Sequence, residues 1–399
     1  MIRSVGWLTL SALYVGLVST LLVFVLGRWL GPQGFGEYSA VLSIVSILAI
    51  AMDGGFRNLI QREFAARTLC LERDQDSLLP TAVGYTLLTT VVLGLAVLAL
   101  PYRHGATLAW AIVAMGAMTL VQFWGARLRG QGAFAEDARW QAMQRTSTAG
   151  LAAAMVIAWP YAWIAFAGWC AGAWLALLGS GARVLLAKIA VPHPRLLRWW
   201  RACAPFLVID LATAIYFRID VVMIDWLTGD AEAAGVYSAA YRLLEVVIFL
   251  FNPLAIVLFR QLRLVSQHRA DFRKLIGLTL LASVVLAALI WIGTWCLGDT
   301  VVNLAYGKAF APAAALLPWL MASVLFVLPN GVLSQGAIAL NLEWGYARVG
   351  ILAAMTNVGL NGWLILLHGP YGAAMATIVT EAVLFIGLMR IMRAWLVKE

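Results

Sequence analysis

The residues of this sequence most able to do chemistry are charged side chains inside long apolar segments. Arg218, Asp220 and Asp225 lie in one such segment, and Arg242 and Glu245 lie in the next. A charge at the centre of a bilayer costs about 2.5–3.5 kcal/mol, so these side chains must face a partner or a cavity. The spacing of Arg218 from Asp225 and of Arg242 from Glu245 puts each pair on one helix face. Two interpretations stay open for each pair. It forms a salt bridge that locks helices, or its arginine binds an anion, since a guanidinium fork suits phosphate.

The segments that hold these charges are long enough to cross a bilayer. The 399 residues are 63% hydrophobic and 12% charged, whereas an ordinary soluble domain is about 25% charged. About 20 apolar residues span the hydrocarbon core. The runs predict helices at about 5–27, 38–60, 79–101, 106–127, 143–159, 162–186, 204–226, 233–259, 275–297, 312–340, 346–367 and 371–392. The sequence thus predicts an all-α integral membrane protein of about twelve transmembrane helices, with a kink in 312–340 at its two prolines.

Lysine and arginine are distributed unevenly between the two sides of this membrane protein. Most of the 28 lie in loops and helix ends on the side that holds both termini. Because cytoplasmic loops are enriched in these residues, we expect a multi-pass protein with both termini in the cytoplasm. The same distribution accounts for the net charge of +9 without a nucleic-acid partner.

A short motif repeats at half the length of the chain. Gly36-Glu37-Tyr38-Ser39-Ala40 returns as Gly235-Val236-Tyr237-Ser238-Ala239, 199 positions later. An internal repeat of this kind indicates two related halves, a common plan among transporters. We expect two six-helix lobes related by a pseudo-twofold repeat, at residues 1–190 and 204–399, with a cytoplasmic linker at 191–203.

Signatures of enzymes and cofactor sites are weak in this sequence. It contains no Gly-x-x-x-x-Gly-Lys-Ser/Thr, its four cysteines lie far apart, and its four histidines fall in different predicted loops. The longest predicted outward loop, 298–311, offers only Asp299, Asn303 and Lys308 as polar side chains of interest. We therefore expect no catalytic residue, no metal and no cofactor. Gly168-x-x-x-Gly172 predicts close packing of two helices.

Two segments resemble the polysaccharide transporter family. Arg28-x-Leu30-Gly31-Pro32-x-x-Phe35-Gly36-x-Tyr38 looks like the family's N-terminal signature, and Arg218-Ile219-Asp220 followed by Gly235 to Arg242 resembles its second-half signature. This family contains the Wzx-type flippases for O-antigen and exopolysaccharide. It lies within the multidrug/oligosaccharidyl-lipid/polysaccharide exporter superfamily, which also contains lipid II flippases. The resemblance spans roughly residues 5–260, and the last third of the chain agrees in helix count.

The resemblance implies a function, a location and partners. The protein would be a flippase of the bacterial inner membrane that moves an undecaprenyl-diphosphate-linked oligosaccharide to the outer leaflet for O-antigen (lipopolysaccharide) or exopolysaccharide biosynthesis. Its two lobes would surround a central cavity that opens alternately to each side. Helices 1 and 7 would line that cavity, which places Arg28, Arg218 and Asp220 near it. Its partners would be the lipid-linked substrate, membrane lipids and a polysaccharide polymerase or another assembly protein, without nucleic acid.

The residues and the resemblance together give one set of candidate site residues. The candidates for substrate binding are Arg28, Arg57, Arg218, Asp220 and Arg242. The candidates for ion coupling are Asp53, Asp225, Glu245 and Glu381. Arg28 and Arg57 lie near helix ends, so anchoring to lipid headgroups is the alternative for both.

Two other functions stay open. A cation-coupled small-molecule exporter of the multidrug type would need an acidic residue that titrates during transport, and Asp53, Asp220 and Glu381 are the candidates. A membrane enzyme of glycan assembly, such as a polymerase or ligase, would need a large outward loop with catalytic residues. The predicted loops disfavour the enzyme.

Overall fold

The computed structural model describes residues 2–65, 72–99, 101–183 and 218–397, together with Leu185, Leu207, Leu211 and Ala214. Within these residues all regular structure is helical and no β-strand occurs. The chain divides into two compact units, Met1–Arg218 and Ile219–Glu399. The predicted linker 191–203 lies outside the described residues, so the predicted lobe boundaries stay a prediction.

The first unit contains two membrane segments within one long helix, followed by further helices. The helices are α1 (Ile2–Asp53), α2 (Phe56–Ala65), α3 (Glu72–Ala99), α4 (Gly105–Gly130), α5 (Phe134–Ala158) and α6 (Ala162–Leu178). The backbone of α1 leaves helical geometry at Gly31, with φ 68° and ψ 177°. Glycine tolerates this positive φ, and Pro32 suits the first position of the helix that resumes. The predicted helices 5–27 and 38–60 are therefore the two parts of α1.

The second unit is also built of helices. We use α7 for the described helical residues 218–228. The later helices are α8 (Ala231–Leu264), α9 (Arg269–Tyr306), α10 (Ala311–Met321), α11 (Val324–Ala339), α12 (Glu343–His368) and α13 (Pro370–Val397). A bend of 45° separates α10 from α11, which confirms the predicted kink. The indole Nε1 of Trp291 on α9 donates to the carbonyl of Pro318 across a distance of 3.0 Å.

The helices have the lengths and surfaces of membrane segments. In the part of the chain that the structure describes, seven helices are long and apolar enough to cross a membrane, or eight if the bent pair is one span. With α1 as two segments and α10–α11 as one, the described helices other than α2 give the predicted twelve. Leu278, Leu281 and Leu289 leave more than half of their surface exposed along α9, where lipid would cover them. The protein is an all-α, multi-pass membrane protein.

Several predicted boundaries were wrong. The helix predicted at 162–186 ends at Leu178, and the helices predicted from 79 and 275 begin at Glu72 and Arg269. The helix predicted at 38–60 ends at Asp53 because Gly54 and Gly55 both take positive φ, at 56° and 78°. Helix α5 begins at Phe134 instead of near 143, and α9 continues to Tyr306, so the predicted outward loop 298–311 is largely helical. In the last two cases polar residues extend a helix, and hydropathy alone does not separate such an extension from a loop.

Gly168 and Gly172 let α6 pack closely on α5. A Cβ atom at Gly168 would lie 2.5 Å from the Cα of Ala152, and one at Gly172 would lie 2.4 Å from the Cα of Thr148. Only glycine permits such an approach between backbones. The predicted packing function of this motif is confirmed.

Candidate functional site

The repeated Gly-x-Tyr-Ser-Ala motif buries a tyrosine in each unit. In the first unit Tyr38 stacks on Phe166, with ring centroids 5.1 Å apart, and lies edge-on to Trp169 at 6.2 Å. In the second unit Tyr237 stacks on Tyr241 at 5.8 Å. The two tyrosines are 1% and 0% exposed. The same motif therefore places its tyrosine among aromatic rings in both units.

The polar cluster consists of Asp220 on α7, Tyr237 on α8, and Asn357 and Asn361 on α12. The Tyr237 hydroxyl donates to Asp220 Oδ2 at 2.8 Å. The Asn361 amide nitrogen donates to Asp220 Oδ1 at 3.4 Å and to Asn357 Oδ1 at 3.0 Å. All four side chains are buried. Three helices of the second unit are thus joined through one carboxylate.

Neutral donors hold the carboxylate of the polar cluster. No lysine, arginine or histidine in the described residues forms an ion pair with Asp220. The Oδ1 atom of Asn361 is also buried, and no described donor reaches it. Carboxylate and amide oxygens are the ligands that hard cations use, and a buried carboxylate also accepts a proton. The polar cluster could therefore hold a small cation, although the described residues contain no group of three or more His, Cys, Asp or Glu suited to a metal ion.

Arg242 and Glu245 form an ion pair on α8. The Nη1 and Oε2 atoms lie 2.5 Å apart, and the side chains are 16% and 30% exposed. This contact corresponds to the salt-bridge interpretation of the pair. An ion pair neutralises much of the charge that an anion would meet, so an anion-binding function of Arg242 stays a prediction.

Arg218 is the first residue of the described part of α7, and Asp225 lies three residues before its last. Arg218 is half-buried, and Asp225 is 2% exposed two helical turns later. Both side chains interact with other groups of the protein. Because seven helical positions separate them, Arg218 and Asp225 lie on the same face of α7, as predicted. Their functions stay predictions.

Glu381 connects α13 to α11. Its Oε2 atom accepts a hydrogen bond of 2.8 Å from the amide of Asn330, which also donates to the Glu381 main-chain carbonyl at 2.9 Å. Asn330 is 5% exposed and directly follows Pro329. A local structural function is therefore sufficient to explain Glu381, and ion coupling there stays a prediction.

In the first unit Asp53 and Arg57 meet at the corner between α1 and α2. The Asp53 carboxylate accepts hydrogen bonds from the backbone N–H groups of Gly55 at 3.0 Å and Arg57 at 3.3 Å. It therefore caps the start of α2. The Arg57 guanidinium donates to Gln122 of α4 at 3.2 Å. Arg28 is exposed near the end of the first part of α1.

Sequence reasoning missed several polar residues inside the membrane units. Asn357 and Asn361 are four positions apart in an apolar helix, and this spacing alone indicates two amides on one face. Tyr237 was recognised as part of the repeated motif but not as a partner of Asp220. Arg145 was not among the candidate residues, and it lies eleven residues after the first residue of α5.

Comparison with known proteins identifies the family. The sequence profile described as "Polysaccharide biosynthesis protein" matches residues 1–259, which include both copies of the repeated motif. The chain belongs to the polysaccharide biosynthesis protein family. The resemblance in its two signature segments is thereby confirmed. A search of curated proteins found no match.

Solved structures resemble this polysaccharide biosynthesis protein over nearly its whole length. The lipid II flippase MurJ in an inward closed conformation aligns with a TM-score of 0.77 and 12% identity, covering 96% of this chain and 87% of MurJ. An inward-facing multidrug resistance MATE family transporter of the MOP superfamily aligns with a TM-score of 0.65 and 13% identity, covering 94% of this chain and 95% of that transporter. A MOP superfamily transporter from Pyrococcus furiosus aligns with a TM-score of 0.58 and 11% identity, covering 100% of this chain and 97% of that transporter. That transporter is described as having a binding pocket of reverse polarity. The chain therefore has the fold of the MOP superfamily transporters.

Proposed function

We propose that this protein is a flippase of the bacterial inner membrane. It carries an undecaprenyl-diphosphate-linked oligosaccharide from the cytoplasmic to the outer leaflet for O-antigen (lipopolysaccharide) or exopolysaccharide biosynthesis. The observation that supports this most is the family match over residues 1–259, in a chain that shares its fold with a lipid II flippase. The uneven distribution of lysine and arginine favours cytoplasmic termini.

The chemistry of the substrate explains why the protein carries charges inside its membrane units. A sugar-diphosphate headgroup does not cross hydrocarbon unaided, whereas its lipid tail stays in it. The protein supplies a polar, cationic path, for which the candidates are Arg28, Arg57, Arg218 and Arg242. Arginine binds phosphate oxygens bidentately. Asp220 accepts hydrogen bonds and therefore suits sugar hydroxyls.

The membrane potential provides a driving force for outward movement. It is worth about 2.3 kcal/mol per charge per 100 mV, and a dianion leaving a negative interior gains roughly twice that. We infer that a coupling ion assists transport but is not obligatory. Reconstituted protein should flip more slowly when the potential is collapsed, and an unchanged rate would contradict this inference.

Transport in this account involves no covalent step. The flipped unit is passed in the outer leaflet to a polysaccharide polymerase or another assembly protein. The family and the fold are those of transporters, and the helical course of α9 removes most of the loop that an enzyme would need.

Deletion of the gene in its native host tests the proposal. We expect surface polysaccharide to disappear and the lipid-linked unit to accumulate in the cytoplasmic leaflet, with both effects reversed by the wild-type gene. Intact surface polysaccharide in a strain without a redundant flippase would contradict the proposal.

A second candidate function is a cation-coupled small-molecule exporter. The polar cluster favours it, because a buried carboxylate with neutral donors is suited to exchange a cation. This function predicts that deletion makes cells sensitive to toxic compounds while surface polysaccharide stays intact. It also predicts that Asp220→Asn removes the dependence of export on a cation gradient.

A further inference from the structure

We propose that Arg145 on α5 is an anion-binding residue of the first unit that holds a phosphate group of the lipid-linked substrate. The inference rests on the proposed function, because it assigns the diphosphate of that substrate to a particular guanidinium. Arg145 was not among the candidates that the sequence gives, because the predicted helix began just before it.

The position of Arg145 is the first support. Helix α5 runs from Phe134 to Ala158, and at 1.5 Å per residue Arg145 lies about 17 Å from its first residue and about 20 Å from its last. The next residue, Thr146, shares a hydrogen bond of 2.7 Å with Tyr14 of α1. Arg145 therefore lies within a helix that packs against α1, just before the apolar residues 149–158 of that helix.

The surroundings of the guanidinium are the second support. Its Nε atom is buried, and no described residue accepts a hydrogen bond from it. No carboxylate in the described residues forms an ion pair with Arg145. A partly buried cation without an acidic partner is costly, and an anion that enters the site would relieve that cost.

A second arginine of this unit provides a comparison. Arg127 also has a buried Nε atom without a described partner, but its guanidinium lies over the rings of Trp124 and Phe64 at 4.8 and 5.7 Å. Arg145 has no comparable aromatic contact in the described part of the chain. A fork of N–H donors without such a contact suits a phosphate.

The test compares Arg145→Gln, Arg145→Lys and Arg139→Gln in the full-length protein in detergent. Arg139 is a matched control, since it is an exposed arginine of the same helix. Tryptophan fluorescence would give the Kd values for undecaprenyl diphosphate, for undecaprenol as the uncharged counterpart, and for phosphatidylglycerol as an ordinary anionic lipid. We expect wild type and Arg139→Gln to prefer the diphosphate over undecaprenol by about tenfold or more, Arg145→Gln to lose that preference, and Arg145→Lys to keep part of it.

A stability measurement separates binding from folding. If Arg145 binds a ligand, Arg145→Gln should unfold at the same temperature as wild type or higher in the absence of lipid, because an uncompensated charge has been removed. A lower unfolding temperature would assign Arg145 a structural function and overturn the inference.

The binding outcomes separate this inference from the proposed function. Full preference for the diphosphate in Arg145→Gln overturns the inference and leaves the flippase proposal intact. Equal affinity of wild type for phosphatidylglycerol and undecaprenyl diphosphate overturns it as well, since the site then holds an ordinary lipid headgroup. No preference of wild type for undecaprenyl diphosphate over undecaprenol counts against the proposed substrate itself.

Discussion

The hydroxyl of Tyr237 donates a hydrogen bond of 2.8 Å to the carboxylate of Asp220, which joins α8 to α7 inside the second unit. Tyr237 belongs to the repeated Gly-x-Tyr-Ser-Ala motif, and Asp220 belongs to the Arg218-Ile219-Asp220 segment. The bond therefore links the two parts of the second-half signature. It also gives a physical reason for the tyrosine, because a buried carboxylate needs donors.

Removing this hydroxyl should weaken the second unit. We expect Tyr237→Phe to lower the free energy of unfolding by about 0.6 kcal/mol and by no more than about 1.7 kcal/mol, the average and the maximum measured for hydrogen bonds between helices in a membrane protein. The effects of Tyr237→Phe and Asp220→Asn should be non-additive in thermal unfolding of the double variant, since both act on one bond. Tyr161→Phe is the control, because Tyr161 is 60% exposed. Additive losses would show that the two residues are not coupled.

Arg218 should be necessary for transport and not for insertion. We expect Arg218→Ala to restore no surface polysaccharide in a deletion strain while it accumulates in the membrane like wild type. Arg218→Lys should be partly active, because lysine keeps the charge but loses the bidentate fork. Immunoblots of membranes, with Arg139→Ala as the exposed control, distinguish loss of function from loss of protein. Normal complementation by Arg218→Ala would assign Arg218 to a structural salt bridge.

The architecture was largely predictable from the sequence, whereas the contacts of the polar cluster were not. The apolar runs and the Gly31-Pro32 break predict the helices directly. The length needed to cross a membrane and the backbone preferences of glycine and proline can both be read from residues that are close together in the sequence. The bond between Asp220 and Asn361 joins positions 141 apart, and no local pattern specifies which amide meets which carboxylate. Arg145 shows a different limit: the polar residues from Phe134 onward read as a loop, although they form the first turns of α5.

The contact between α5 and α6 provides a prediction with a matched control. Gly172→Ala would place a Cβ atom 2.4 Å from the Cα of Thr148 and 2.6 Å from the carbonyl of Ser147. Because backbone atoms cannot move aside cheaply, we expect a loss of about 1–3 kcal/mol in the free energy of unfolding. Gly150→Ala on α5 meets nothing within 4 Å and should be neutral or stabilising. Thermal unfolding of the purified variants measures the difference. Equal stability of the two would show that α6 does not approach α5 so closely.

Asp53 provides a test that separates capping from ion coupling. Its carboxylate accepts two backbone N–H groups at the start of α2. We expect Asp53→Ala to lower stability by about 1 kcal/mol, and Asp53→Asn to retain most of it because the amide oxygen still accepts. Complementation of a deletion strain provides the second readout. If Asp53 only caps α2, the Asp53→Asn protein should be active. An Asp53→Asn protein that folds like wild type and transports nothing would instead make Asp53 a coupling residue.

The central claim is that this chain moves a lipid-linked oligosaccharide across a bilayer, and reconstitution tests it most directly. Purified protein would be placed in liposomes with a fluorescent undecaprenyl-diphosphate oligosaccharide in the inner leaflet, and a membrane-impermeant glycosidase outside would report its arrival. We predict that wild-type protein makes the substrate accessible and that Arg218→Ala does not. If wild-type protein and protein-free liposomes release sugar at the same rate, the account of this protein as a flippase is contradicted.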